Sequence, residues 1–353
     1  MKNKIKIIFS IVIFLVWPNF SLSAPSISGV SGTVSDGESV TISGSSFGTK
    51  FPASPQLWVP FDSNKNSSLL GVVTSWRVSD AGIIYSAGSG WSGGSAQIIS
   101  DPHLSSLLAA TFSDFNFNDS GQKFYIHRRA KRLFDTTAMG GNGGLKSMKF
   151  DYNESYQDNV VLNLSTCQYN SQNYSGDSYY YLNSFNTNNP NWVTEETFGQ
   201  SNIISNEGAK LDFYENYNLR GSSPNPNWIT LWVTGTQPFN TISFWRYASS
   251  SPMTAGEAPE FWDDLYVDNT WARIIVSNAS TLSASTHREI QIPSAWSANS
   301  ITATINQGSF SNGAIAYLYV VDANGEVNVD GFPIIINFSD AIAPNAPIGL
   351  GVL

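Results

Sequence analysis

Cysteine is nearly absent from this sequence, which has a single cysteine, Cys167, in 353 residues. A lone cysteine forms no intramolecular disulfide, so the fold must be stabilised by its hydrophobic cores. Histidine is also rare, and the three histidines lie far apart without the ligand spacing of a zinc site. A G-x-S-x-G motif is missing as well. The sequence therefore gives no support to zinc chemistry or to a nucleophilic serine of that kind.

Charged residues are scarce too, at 13% of the chain, and the 27 acidic residues outnumber the 18 basic ones. This balance argues against nucleic acid and anionic membrane surfaces as general partners. The sequence has no long run with the 3.6-residue hydrophobic period of an amphipathic helix. Aromatic residues make up 13% of the chain. The composition favours an all-β protein, because aromatic and β-branched residues suit pleated sheets while glycine and asparagine supply turns.

The first 23 residues combine three lysines with an apolar run, Ile7 to Val16, and then small residues. This layout is typical of a secretory signal peptide, with Ser21 and Ser23 placed for cleavage before Ala24. The apolar run is shorter than the roughly 20 residues that a spanning helix needs. We therefore expect a bacterial protein that is secreted or displayed on the cell surface, without a transmembrane segment in the mature chain. Loss of the three lysines lowers its formal net charge from −9 to −12.

Residues 37–48 have the sequence GESVTISGSSFG, in which Val40 and Ile42 alternate with polar residues as in a half-buried strand. This run resembles the G-x-x-V-T-I-x-G-x-x-F-G signature of the IPT/TIG immunoglobulin-like family, and the resemblance covers residues 25–50. It implies an immunoglobulin-like sandwich of the kind found in surface, adhesive or glycan-active proteins. It implies no chemistry of its own.

The second half of such a domain is not found directly after Lys50. It is found in residues 292–336, where Ile301, Ala303 and Ile305 alternate with threonines ahead of a longer apolar run. One hypothesis is that this segment completes the IPT/TIG domain, so that its two halves flank an inserted module. The alternative is two separate immunoglobulin-like units, and the sequence leaves both open.

Many short apolar runs, separated by Asn, Gly, Pro and Ser, fill residues 57–276, as in a sandwich or jelly roll. The stretch WDDLYVDNTWAR, Trp262 to Arg273, resembles the terminal strand of concanavalin A-like jelly rolls of the laminin-G and polysaccharide-lyase type. The expected fold is therefore all-β, with an immunoglobulin-like sandwich plus a concanavalin A-like jelly roll. The predicted organisation is a signal peptide (1–23), a first IPT/TIG-like part (24–56), a jelly-roll module (57–276), an immunoglobulin-like part (277–340) and a linker or tail (341–353).

Basic residues are concentrated in the predicted strand KFYIHRRAKRLF, where Tyr125, His127, Arg129 and Lys131 share one face. A cationic face attracts anions, and arginine binds carboxylate or sulfate through two hydrogen bonds. Arg129 and Lys131 are therefore predicted to line a groove for an acidic polysaccharide. Alternatively, Tyr125, His127 and Arg129 have the residue types that polysaccharide lyases of this fold class use. A charged outer strand without a ligand is the third interpretation.

Two tryptophans that follow turn segments, Trp192 and Trp228, are predicted to reach a groove and to stack on sugar rings. In the strand that begins near Phe261, Asp264 and Asp268 share one predicted face and are candidate calcium ligands. Ordinary turn and rim aspartates are the alternative, and Arg273 is expected to pair with one of these carboxylates.

The leading functional hypothesis is a non-catalytic carbohydrate-binding or adhesion protein whose partner is a polysaccharide or a cell-surface glycan. A lyase that acts on an acidic glycan is the first alternative. A structural surface component that binds protein is the second. Calcium is the one cofactor for which the sequence offers candidate ligands, Asp264 and Asp268.

Overall fold

The computed structural model describes residues 23–63, 73–78, 83–91, 93–98, 106–112, 122–133, 145–151, 160–163, 178–181, 191–200, 210–223, 241–248 and 260–337. Within these ranges the regular elements are β-strands, apart from one turn of 3₁₀ helix at Leu282–Ala284. The prediction of an all-β protein is confirmed. No helix in the described ranges is long and apolar enough to cross a membrane.

The strands form three sheets, and they are numbered here in chain order. They are β1 (Ser26–Ser31), β2 (Ser39–Ser45), β3 (Leu57–Val59), β4 (Val73–Val78), β5 (Ile83–Ser86), β6 (Ser95–Ile98), β7 (Ser106–Phe112), β8 (Lys123–Arg132), β9 (Leu145–Asp151), β10 (Val160–Asn163), β11 (Ser178–Tyr181), β12 (Val193–Gln200), β13 (Lys210–Glu215), β14 (Asn218–Ser223), β15 (Thr241–Ala248), β16 (Glu260–Asp268), β17 (Arg273–Ser277), β18 (Arg288–Trp296), β19 (Ser300–Thr304), β20 (Ile315–Val321) and β21 (Phe332–Ile335).

The first sheet has seven antiparallel strands in the order β1-β2-β19-β18-β17-β20-β21. Taken in chain order, this arrangement reproduces the A-B-E-D and C-F-G strand orders of a constant-type immunoglobulin sandwich. Strands β2 and β19 are hydrogen-bonded neighbours, with Val40 opposite Ala303 and Ile42 opposite Ile301. The N-terminal and C-terminal segments therefore lie in one sheet, and the chain leaves it after β2 and returns at β17. The domain boundaries and the IPT/TIG assignment stay predictions.

The core of this sheet is apolar, and both chain segments contribute to it. Val40, Ile42 and Phe47 pack with Ile301 and Leu318 in one buried cluster. Burying each of these side chains stabilises the fold by about 1.5–3 kcal/mol. The glycine at position 44 belongs to the same packing, since a Cβ atom there would collide with the ring of Phe47 and the carbonyl oxygen of Ser26.

The middle of the chain forms a six-stranded sheet, β11-β10-β9-β15-β7-β4, and an eight-stranded sheet, β14-β13-β12-β8-β16-β6-β5 with β3 beside β16. Strand β8 lies between β12 and β16 in the second of these sheets. Because it is a central strand, its residues are buried on both faces from Phe124 to Ala130. Both interpretations that placed a charged face of this strand at the surface are therefore wrong for these residues.

One face of the eight-stranded sheet packs against β18 of the seven-stranded sheet. Tyr125, Tyr266 and Trp58 form a buried cluster with Ile290 and Ile292 of β18. The face of β8 that was predicted to line a groove is therefore an internal contact between two sheets, which is called the junction below.

Candidate functional site

The arginines of β8 lie in the interior of the protein, where each has an acidic partner. Arg128 and Arg129 are each 2% exposed. Arg128 donates a hydrogen bond of 2.6 Å through Nε to Glu195 on the neighbouring strand β12, and the two side chains form an ion pair. Arg129 crosses the junction and forms an ion pair of 2.8 Å with Glu289 on β18. The prediction of an open cationic groove is wrong at Arg129, because this side chain is buried and paired with a carboxylate distant in sequence.

The other two candidate lyase residues are buried beside Arg129. The Tyr125 hydroxyl donates to Glu196 at 2.6 Å, and burial, followed by the charge of Glu196, raises the pKa of Tyr125 well above its usual value. Burial and the nearby Arg129 hold the pKa of His127 well below its ordinary range. With 1% and 3% of their surfaces exposed, Tyr125 and His127 offer a sugar no access.

Two of the four predicted ligand-binding residues lie together. The ammonium group of Lys131 is 5.1 Å from the ring centroid of Trp192 and 4.6 Å from that of Phe261. Lys131 and Trp192 are both half-buried, so this cluster reaches the surface. Trp228 lies outside the described residues.

The predicted face of Asp264, Tyr266 and Asp268 is interrupted. Strand β16 shifts register against β8 between Asp263 and Tyr266, and Asp264 has a φ of 49°. This extra residue is a β-bulge, which breaks the alternation of side chains on which the prediction rested.

The two calcium candidates therefore have separate surroundings. Asp268 forms a buried ion pair of 2.7 Å with Lys50 and accepts a hydrogen bond of 2.7 Å from Tyr266. Burial raises the pKa of Asp268 to about 6, although Lys50 opposes the shift. In the described ranges, no three His, Cys, Asp or Glu side chains are grouped as metal ligands. Calcium stays a prediction, with the Lys50 ammonium already at Asp268.

Arg273, which was expected to pair with one of these carboxylates, contacts aromatic rings instead. Its guanidinium lies 4.6 Å from the ring centroid of Tyr125 and 4.9 Å from that of Phe198. It also donates a hydrogen bond of 2.8 Å to the carbonyl oxygen of Trp271.

A polar cleft of about 420 Å³ opens where the loops of the seven-stranded sheet meet the loops of the eight-stranded sheet. The loop after β1 contributes one wall, the segments after β3 and between β5 and β6 contribute another, and the β19–β20 loop closes the cleft. The lining residues are Asp36, Asp62, Gly93, Asn306, Gln307, Gly308 and Asn312. The cleft is called the junction cleft below.

Hydrogen bonds hold the β19–β20 loop of the junction cleft in place. The backbone N–H of Gln307 donates to Asp36 at 3.0 Å, and its side-chain amide donates to Asn312 at 2.9 Å. Asn306 accepts a hydrogen bond of 3.2 Å from the N–H of Gly308 and donates through its own N–H to Gln291 at 2.9 Å. The polar groups of the cleft are thus ordered by the protein itself.

Glu289 lies directly beneath the junction cleft. A Cβ atom at Gly308 would collide with its carboxylate. Besides Arg129, the carboxylate accepts hydrogen bonds from the Trp91 indole at 2.7 Å and from the backbone N–H of Ser309 at 3.1 Å, and it lies 2.6 Å from His287. Burial would raise the pKa of Glu289, but Arg129 and these hydrogen bonds lower it to about 2.

A second acidic pair lies beside Glu289. Asp263 accepts hydrogen bonds from the backbone N–H groups of Trp91 at 2.7 Å and of Asp264 at 3.0 Å. Asp264 is 1% exposed, and its two carboxyl oxygens have no hydrogen-bond partner among the described residues. Burial, together with the charges of Asp263, Glu289 and Asp62, raises the pKa of Asp264 well above its usual value.

Sequence reasoning missed the junction cleft. Asp36 and the segment after Thr304 carry turn signals, but turn signals do not reveal which loops meet. The cleft exists because β2 pairs with β19 and because β18 packs under β8, and both contacts join residues far apart in the chain.

Comparisons with known proteins give no family and no relative. No protein-family model matches the chain, and no curated protein matches it. Among solved structures, an alginate lyase mutant in complex with alginate tetrasaccharide is 14% identical, with 62% of this chain and 98% of that chain covered and a TM-score of 0.38. The binding domain of botulinum neurotoxin serotype D is 11% identical, with 76% and 72% covered and a TM-score of 0.36. Similarity at these identities and TM-scores does not indicate a shared function.

Proposed function

We propose that this protein is a secreted or surface-exposed, non-catalytic carbohydrate-binding or adhesion protein whose glycan binds in the junction cleft. The observation that carries the proposal is the polar lining of the cleft, with two carboxylates and three side-chain amides on one concave surface. Sugar hydroxyl groups both donate and accept hydrogen bonds, and carboxylate and amide groups supply the matching acceptors and donors.

The size and the order of the junction cleft support this function. Its volume of about 420 Å³ lies within the range of roughly 300–1,000 Å³ for small-molecule sites. The hydrogen bonds of Gln307 to Asp36 and Asn312 fix the loop before any ligand arrives. A site that is already ordered loses less conformational entropy on binding than a mobile loop would lose.

The non-catalytic part of the proposal is supported by the burial of Tyr125, His127 and Arg129. A general acid or base must come within hydrogen-bond reach of the substrate. These three side chains instead contact the interior of the eight-stranded sheet and the junction. Export is supported by the layout of residues 1–23, of which residues 1–22 lie outside the described residues.

Native affinity electrophoresis of the chain from Ala24 tests the proposal, in gels that contain neutral, amine-bearing or acidic polysaccharides. We expect retardation by at least one glycan, and we expect Asp62→Asn to weaken it. The matched control is Trp192→Ala, which removes an aromatic ring at the separate Lys131 cluster and is expected to leave retardation unchanged.

Two outcomes contradict the proposal in different ways. If no gel retards the protein, the glycan function is wrong and a structural surface component that binds protein becomes the better hypothesis. If Trp192→Ala weakens retardation and Asp62→Asn does not, the glycan binds at the Lys131 cluster and not in the junction cleft. Unsaturated sugar ends in the gel would indicate lyase activity and refute the non-catalytic assignment.

A further inference from the structure

The lining of the junction cleft carries negative charge. Asp36 and Asp62 both face the cleft, and none of the lining residues that the structure describes is a lysine, arginine or histidine. Oδ1 of Asp36 accepts a hydrogen bond from the backbone N–H of Gln307. Burial and the charge of Asp36 raise the pKa of Asp62, as expected for two carboxylates that share a confined space.

Three further carboxyl groups lie behind this lining. Glu289 lies under Gly308, and Asp264, next to Asp263, lies close enough to Glu289 to feel its charge. Arg129 and the ring of His287 both contact Glu289. The Arg129 guanidinium already donates to Glu289, to the Thr194 hydroxyl and to the carbonyl oxygen of Arg288. Its charge is therefore matched inside the protein and does not offset the charge of the lining.

Asp264 is a second, independent feature of this region. Its carboxyl group is buried with two oxygen atoms that accept no hydrogen bond from the described residues. Buried polar groups normally have partners, so an unpartnered carboxyl group marks a place where a donor or a proton is missing. Asp264 also lies near the lining, since the charge of Asp62 is among the causes that raise its pKa.

We infer that the junction cleft selects a glycan without carboxylate or sulfate groups, which presents hydroxyl or ammonium groups as hydrogen-bond donors to Asp36 and Asp62. The inference rests on the proposed function, since it names the ligand class of the same cleft. It differs from the prediction made from the sequence, in which the basic residues of β8 bind an acidic polysaccharide. A uronate or sulfate in the cleft would place its negative charge beside Asp36 and Asp62, and the repulsion between these like charges would oppose binding.

The test compares three β-1,4-linked oligosaccharides of equal length by isothermal titration calorimetry: one uncharged, one with an amine on each ring, and one with a carboxylate on each ring. We expect the uncharged or the amine-bearing probe to bind at least about tenfold more tightly than the carboxylate probe, because one unfavourable charge contact costs about that factor. Added salt should weaken binding of the amine-bearing probe and leave that of the uncharged probe unchanged.

Two variants locate the selectivity in the junction cleft. Asp62→Asn and Asp36→Asn keep the size of the side chain, and the amide oxygen at position 36 still accepts from Gln307. Each should narrow the ratio between the amine-bearing and carboxylate probes, while the thermal unfolding midpoint reports that the fold is intact. Trp192→Ala is the control and should leave the ratio unchanged.

The outcomes separate this inference from the proposed function. Tighter binding of the carboxylate probe, weakened by either cleft variant, overturns the inference and leaves a glycan-binding cleft. A ratio that neither variant changes but Trp192→Ala does change also overturns it, since the selectivity then lies elsewhere. If no probe binds and the polysaccharide gels show no retardation, the proposed function itself is wrong.

Discussion

The core of the seven-stranded sheet and the junction beneath β8 are both buried, but opposite kinds of side chain build them. In the core, Ile42, Ile301 and Leu318 belong to one apolar cluster. At the junction, Arg129 and Glu289 form an ion pair beside the carboxyl group of Asp264. The stabilisation from apolar burial does not depend on pH or on the orientation of the contacts. A buried charge, in contrast, destabilises the fold unless its oppositely charged partner is in place. The core therefore stabilises the sandwich, and the junction fixes how the inserted strands dock on it.

Breaking the ion pair of the junction should have the largest effect. Arg129→Ala leaves Glu289 buried without its main cation, and we expect a loss of about 3–5 kcal/mol in the free energy of unfolding. Chemical denaturation at neutral pH, followed by circular dichroism, measures this loss. The double variant Arg129→Met/Glu289→Gln is the control and should recover much of the stability, because it leaves no uncompensated charge.

The loss of stability caused by Arg129→Ala should depend on pH. The pKa of Glu289 is lowered to about 2 from a value of 4.5, so its stabilising contribution is present above about pH 4.5 and disappears as the pH falls through about 2. The difference between wild type and Arg129→Ala should shrink over that window. A difference that stays constant with pH would show that lost packing, and not lost charge, explains the effect.

A cavity in the apolar core should cost somewhat less and should not depend on pH. Leu318 is 1% exposed, and Leu318→Ala removes buried methyl groups, with an expected loss of about 2–4 kcal/mol. Denaturation at several pH values checks both parts of the prediction. Leu318→Met keeps most of the volume, so it should cost less than about 1.5 kcal/mol. If Leu318→Ala became milder in acid, the core and the junction would not be energetically distinct.

Removing the unpartnered carboxyl group should stabilise the junction. Burial raises the pKa of Asp264 above its ordinary 3.8, so the folded state binds this proton more tightly than the unfolded state does, and stability falls as the pH rises from 3.8 towards the raised pKa. Asp264→Asn removes this penalty, and asparagine tolerates the φ of 49° better than most residues. We expect a gain of about 1 kcal/mol near neutral pH and no gain in acid, as measured by thermal unfolding. A loss of stability at neutral pH would show that Asp264 is ionised and paired.

The sequence and the structure agree where local pattern decides. The alternation of Val40 and Ile42 predicts a half-buried strand, and both side chains are buried in β2. The interpretation of β8 failed for a physical reason, since it treated Arg129 as a surface charge. Burial of an arginine depends on a carboxylate that reaches it, and Glu289 comes from a strand far along the chain. The sequence does not predict the bulge at Asp264 or the junction cleft for the same reason. Contacts between distant segments set the register of β16 against β8, and such contacts also determine which loops come together.

The smallest effect on stability is expected at the cluster of Lys131, Trp192 and Phe261. This cluster combines a charged group with apolar rings and is therefore intermediate between the charged junction and the apolar core. The Lys131 ammonium faces two aromatic rings, but partial exposure keeps it hydrated, so the cation–π contact should contribute only about 0.5–1 kcal/mol. A double-mutant cycle with Lys131→Gln and Trp192→Leu isolates this coupling from the loss of apolar area. A coupling as large as that of Arg129 with Glu289 would show that Lys131 behaves as a buried charge. A coupling near zero would show that water hydrates the Lys131 ammonium so well that the ring of Trp192 contributes nothing to its stability.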